Sequence, residues 1–143
     1  MGYTRFNDST TIIDGVAAIE NTTGHTSSAI SLCEAGRDSF VLQLSVTPSG
    51  TDDGFVWELR PSTFGAATFL TTPLELTKNG TTSGPVMIPL SGAMDNVGTD
   101  GATYQWEFRD IYADKMTLFI AADDTTDTYT VTAKYRTLKF GNR

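Results

Sequence analysis

The sequence predicts an all-β fold, an antiparallel β-sandwich of jelly-roll-like type with about eight to ten short strands and an extended N-terminal arm. Three observations predict it. Apolar residues recur at every second position in several segments, most cleanly at Phe40, Leu42, Leu44 and Val46. Turn-forming clusters separate these segments at intervals of about 8–12 residues, the spacing of a sandwich or barrel. About one residue in six is Thr, and 13 are Gly; Thr favours strands and Gly favours turns. No segment shows a helical apolar stripe of three turns. A chain of 143 residues fits one domain with a real core. The reading is therefore an arm at residues 1–10 and a single sandwich over residues 11–143.

Residues 1–10 are polar and aperiodic, hence an arm. Residues 10–13 form a short strand candidate, and residues 16–19 fit either a strand or one helical turn. Residues 21–28 read as a polar loop holding His25, the only histidine. Residues 29–33 are an apolar strand with the single cysteine, Cys33, as a small core residue. After a turn at 34–38, residues 40–46 form a long strand, ended by dense turn chemistry at 48–54. Residues 55–60 follow as a strand closed by Pro61, then short strands at 67–71 and 74–77 interrupted by Pro73. Asn79-Gly80 signals a hairpin turn. Residues 86–90 are a strand whose Pro89 suggests an edge or bulge, and residues 91–102 read as a Gly-rich loop. The strands at 104–108, 116–121 and 129–136 complete the set, with a connection at 110–115 and an Asp/Thr turn at 123–127.

One pattern occurs twice. Phe55-Val56-Trp57-Glu58-Leu59-Arg60 and Tyr104-Gln105-Trp106-Glu107-Phe108-Arg109 share the frame aromatic, any, Trp, Glu, apolar, Arg. Each copy follows a Gly/Asp turn, which suggests an internal repeat over 50–71 and 98–121. Period two places the aromatics on the apolar face and each Glu with its Arg on the opposite face. If the copies paired antiparallel, Glu58 would oppose Arg109 and Arg60 would oppose Glu107. The rings of Trp57 and Trp106 are expected in the core, the alternative being platforms for sugar stacking.

The formal net charge of −7 argues against general binding of phosphate backbones. The charge is uneven. Lys134, Arg136, Lys139 and Arg143 crowd the last ten positions, and no carboxylate follows Asp127. This basic strip on an acidic body reads either as a solvated strand face or as a docking strip for an acidic partner. A lone cysteine excludes an intrachain disulfide. Residues 1–8 contain no apolar signal region and no run approaches a membrane span, so neither secretion nor membrane insertion is expected.

No catalytic constellation assembles. His25 lacks a nucleophile-elbow context and Cys33 lacks a nearby His. One His and one Cys do not make a zinc site. Glu58 and Glu107 are candidate paired carboxylates for glycoside hydrolysis, but the Arg two positions on favours the ionised form of each. Asp52, Asp53, Asp95, Asp100, Asp123, Asp124 and Asp127 lie in loops; solvated turn carboxylates are the expectation, and a loop calcium site the alternative. No cofactor and no catalytic or metal residue is predicted.

In its overall character over the whole chain, this acidic, disulfide-free, Thr/Gly-rich β domain with a polar arm resembles small accessory structural proteins of tailed-phage particles. These are capsid cement or decoration proteins and, to a lesser degree, neck or tail components. No motif carries the resemblance. It implies a non-enzymatic virion protein, made in a host cytoplasm, that forms homo-oligomers such as trimers and binds and reinforces a capsid lattice. Its partner would be a capsid or other virion protein, with no nucleic acid and no membrane. The contact residues would be Tyr3, Arg5 and Phe6 in the arm and Lys134, Arg136, Lys139 and Arg143 in the basic strip. A carbohydrate-binding β-sandwich module is the alternative function.

Overall fold

The computed structural model describes residues 4–6, 8–32, 39–50, 54–62, 69, 74–78, 81–87, 90–95, 97–108 and 113–140. For 4–6, 74–78, 81–87, 90 and 138–140 the description is of the backbone alone. Cys33, Asp52, Asp53, the Asn79-Gly80 turn, Arg109 and most of the strand expected at 67–71 lie outside it. Phe69 is described, and bridges Ser62.

The described residues form twelve strands and no helix: β1 (Thr4–Phe6), β2 (Thr10–Ile19), β3 (His25–Thr26), β4 (Ile30–Ser31), β5 (Phe40–Pro48), β6 (Phe55–Pro61), β7 (Leu74–Lys78), β8 (Thr81–Met87), β9 (Leu90–Met94), β10 (Ala102–Phe108), β11 (Lys115–Ala122) and β12 (Tyr129–Phe140). All pairings are antiparallel. One sheet runs β2-β12-β5-β10, with β1 beside the far end of β12. The other runs from β3 and β4, which share a neighbour, through β11 and β6 to β9. Hairpin β7-β8 stands apart.

The pairings are nested. β2 pairs β12, β3 and β4 pair β11, β5 pairs β10, and β6 pairs β9. The chain thus behaves as one long hairpin rolled onto itself, the jelly-roll order. The expected fold class holds. Between the sheets lies one apolar cluster. Phe40, Leu42, Leu44 and Val46 of β5, and Tyr129, Val131 and Ala133 of β12, come from one side. Phe55 and Leu59 of β6, and Met116, Leu118, Ile120 and Ala122 of β11, come from the other. Each set sits at every second position, so one face of each strand is buried.

Three elements differ from their sequence pattern. The ambiguous residues 16–19 are strand, the second half of β2. Gly15 and Ala18 both take φ 58°, and the β2–β12 register slips at each step from Tyr129 to Lys134. Left-handed residues in a strand make bulges, and each bulge breaks the period-two signal. A further slip, from Ala133 opposite Ile13 to Lys134 opposite Thr11, leaves Ile12 as an extra residue, and adjacent Ile12 and Ile13 are both buried. The expected strand at 29–33 contracts to Ile30–Ser31. Before it, β3 forms where a loop was expected, and Ser27 bridges the two: its Oγ accepts the Leu118 N–H at 2.9 Å and donates to the Ser28 carbonyl at 2.7 Å. The Gly-rich stretch after Pro89 also yields a strand, β9, whose Gly92 lies opposite Trp57.

Candidate functional site

Strand β12 carries the candidate surface. Its alternation buries Tyr129, Val131 and Ala133 and exposes Thr130, Lys134 and Arg136. Register then builds a face from separate strands. Lys134 stands beside Gln43 and Arg136 beside Val41 on β5; beyond them, Gln105 and Glu107 of β10 oppose the same two residues. Lys134, Arg136, Gln43, Gln105 and Ser9 line a shallow polar depression of about 160 Å³. Val41, on this outer face, is only 9% exposed. Glu107 places one negative charge beside the basic strip.

The two chain ends meet on the same strand. β1 runs along the end of β12, with Thr4 opposite Phe140, Arg5 opposite Lys139 and Phe6 opposite Leu138. The β5 register ends at Thr137 and that of β2 at Tyr135. Among the described residues, 138–140 therefore pair with β1 alone, as a two-stranded ribbon past the end of β5. This ribbon sets Arg5 directly opposite Lys139 in register. Arg5, Phe6, Lys134, Arg136 and Lys139 are thus gathered along one strand. Tyr3 and Arg143 lie outside the described residues.

The twin motif is used differently from the pairing expected of it. β6 and β10 belong to opposite sheets, so Glu58 faces Phe119 and Ser91 in register, and Glu107 faces Val41. The cross-pairing of Glu58 with Arg109 and of Arg60 with Glu107 is therefore corrected: the copies meet through their aromatics, across the sandwich, because both apolar faces point inward. Trp57 and Trp106 lie 5.4 Å apart with planes tilted by 36°. Tyr104 stacks on Trp106 at 5.7 Å and 8°, and Trp57 meets Phe108 edge-on at 6.1 Å. These rings are half-buried. A Cβ on Gly92 would lie 2.8 Å from three atoms of the Trp57 indole, so that ring rests on bare backbone. Trp57 therefore packs against Gly92 and Trp106 together, as a structural ring would.

On the outer face, Arg60 Nε donates to Glu58 Oε1 at 2.8 Å and its guanidinium sits 4.1 Å from the Phe119 ring centroid. Both charged side chains remain partly exposed, at 19% and 26%. Glu58→Gln is expected to lower stability by less than about 1 kcal/mol, measured by urea unfolding. A larger loss would show that the pair organises the sheet.

His25 is drawn into β3, opposite Ile120. Among the described residues, no group of three or more His, Cys, Asp or Glu stands together as a metal site. Sequence reasoning missed Gln43, Gln105 and Ser9 in the polar depression. Nothing in their local sequence marks them; only the register of β12 on β5 and of β5 on β10 does.

No protein-family model matches the chain, and no curated protein matches it. Solved structures similar to it include these two. One is described as BiXyn10A CBM1 in its apo form, with 9% identity and a TM-score of 0.40, covering 96% of each chain. The other is the crystal structure of the decameric BFDV capsid protein, with 12% identity and a TM-score of 0.33, covering 100% of this chain and 98% of that one. The fold assignment rests on the nested strand order itself.

Proposed function

We propose that this chain is a non-enzymatic structural protein of a virus particle, which docks on a capsid or other virion protein through β12 and the β1 segment and reinforces the lattice there. The observation that carries this reading is the convergence of both chain ends on β12. Lys134 and Arg136 are exposed on β12, and the last residues of the same strand pair with β1, which sets Arg5 in register with Lys139, on a body of net charge −7. A basic strand on an acidic body steers the domain towards an acidic surface and sets its orientation. Phe6, with Tyr3 three positions before it in sequence, would supply the apolar anchor that charges alone do not. The jelly roll suits the role, since its double sheet presents broad outer faces. In this role the protein acts as a homo-oligomer, a trimer being the simplest arrangement on a lattice, and it resides in the virion.

The test is cosedimentation with particles of the virus that encodes the chain. A double variant, Lys134→Glu with Arg136→Glu, is expected to weaken particle association roughly tenfold or more. Its unfolding midpoint should remain near that of the parent, because both side chains are exposed. Particle occupancy unchanged by the double reversal would remove β12 as the docking surface. Failure of the parent protein itself to associate would remove the virion reading.

A further inference from the structure

We infer that the loops at one end of the sandwich form a site for a hard divalent cation, calcium in class, centred on Asp127. This site is separate from the β12 surface and does not depend on the virion reading.

Asp127 is unusual for a turn carboxylate. It is only 9% exposed, and its Oδ2 is buried with no hydrogen-bond partner among the described residues. A buried carboxylate oxygen without a donor is strongly disfavoured unless a cation or other partner meets it. The residue is nevertheless held firmly. Asp124 Oδ1 accepts the N–H groups of Thr126, at 2.7 Å, and of Asp127, at 3.1 Å, which fixes the turn. On another side, a Cβ placed on Gly50 would come within 2.4 Å of Asp127 Oδ1, so the carboxylate is seated against bare backbone. The fold thus positions this group closely while leaving one oxygen unmatched.

Asp127 lines a depression of about 120 Å³ together with Glu20, Asn21, Thr22, Thr125 and Thr128. Every one of these side chains carries oxygen, and none is basic. Asn21 Nδ2 donates to the Ala122 carbonyl at 3.2 Å, which leaves the amide oxygen as an acceptor. Two carboxylates therefore share a polar hollow in which no described lining residue is a compensating cation. An oxygen-only set of carboxylates, amide and hydroxyls suits calcium, which takes 6–8 oxygens in flexible geometry. It does not suit zinc or copper, which favour imidazole and thiolate. With only two carboxylates, water would complete the shell, and the affinity belongs in the weak range, about 10⁻⁴–10⁻³ M. The ion would tie the turn after β2 to the turn between β11 and β12, segments about a hundred residues apart in the chain.

The experiment is thermal unfolding of the full chain in 10 mM calcium chloride against sodium chloride of matched ionic strength, with calorimetric titration of calcium alongside. Calcium is expected to raise the unfolding midpoint by roughly 4 °C or more. Asp127→Asn and Glu20→Gln should each abolish most of that rise and of the titration heat. Glu20 is exposed, so its variant keeps the test valid if Asp127→Asn does not fold. No rise in the parent protein, or a rise retained in Glu20→Gln or in a folded Asp127→Asn, would overturn the inference.

Discussion

Phe55→Ala is expected to destabilise the protein by about 3–5 kcal/mol. Phe55 opens β6, on one sheet, and is completely buried. Its ring reaches the opposite sheet at two strands, edge-on to Tyr104 of β10 at 5.8 Å and to Tyr129 of β12 at 5.9 Å. Each such edge contact adds about 0.5–1.5 kcal/mol beyond the area that it buries. Truncation would leave a cavity that the sheets cannot close, because their separation of about 10 Å is held by the rest of the core. Urea unfolding should show a lower midpoint with an unchanged slope. The neighbouring Val56 points outward, at 37% exposed, and Val56→Ala should fall within about ±0.5 kcal/mol. Equal effects at the two positions would mean that β6 does not present its alternate residues to opposite faces.

Gly24→Ala is the second large effect. Gly24 takes φ +57°, and a Cβ there would meet the Phe119 ring at 2.4 Å and the Ile120 carbonyl oxygen at 2.8 Å. The left-handed backbone alone costs an alanine about 1–2 kcal/mol. Relief of the overlap adds about 1–3 kcal/mol, since the carbonyl belongs to the β11 ladder and the ring cannot simply swing away. Phe119 is held on its other contacts by Arg60, whose guanidinium lies 4.1 Å from its centroid. The variant should therefore unfold at a clearly lower urea concentration and also lose β3 protection in amide exchange. Retention of parent stability would show that the turn before β3 does not constrain β11.

Much of the architecture is legible along the chain, and the exceptions have specific causes. β5, β11 and β12 announce themselves because clean alternation survives wherever a strand is regular and buries one face. β2 is half-hidden because Gly15 and Ala18 introduce bulges that scramble that alternation. β9 is hidden because Gly92 offers no apolar side chain of its own; the Trp57 ring covers it from the neighbouring strand. The charged pair Glu58–Arg60 was readable as neighbours on one face of one strand, at 2.8 Å. The partners imagined for it on the second copy were not readable, since identical local patterns do not state which sheet each strand joins.

The candidate sites divide in the same way. Exposure of Lys134 and Arg136 follows from period two within β12, a local property. Their association with Gln43 and Gln105, and the placement of Arg5 opposite Lys139, follow from register between segments far apart in sequence. The unmatched oxygen of Asp127 is of the second kind as well: an aspartate in an Asp/Thr turn looks solvated until Gly50 and the turn after β2 close around it. By itself, the sequence determined a jelly-roll-like sandwich, its main strands, their inward faces and a basic final strand, because alternation and turn chemistry act over a few residues. The tertiary structure alone decided that the two Trp strands face each other across the core, that both chain ends share β12, and that three distant turns enclose one carboxylate. Those outcomes depend on how the long hairpin rolls up, a long-range closure that no local pattern encodes.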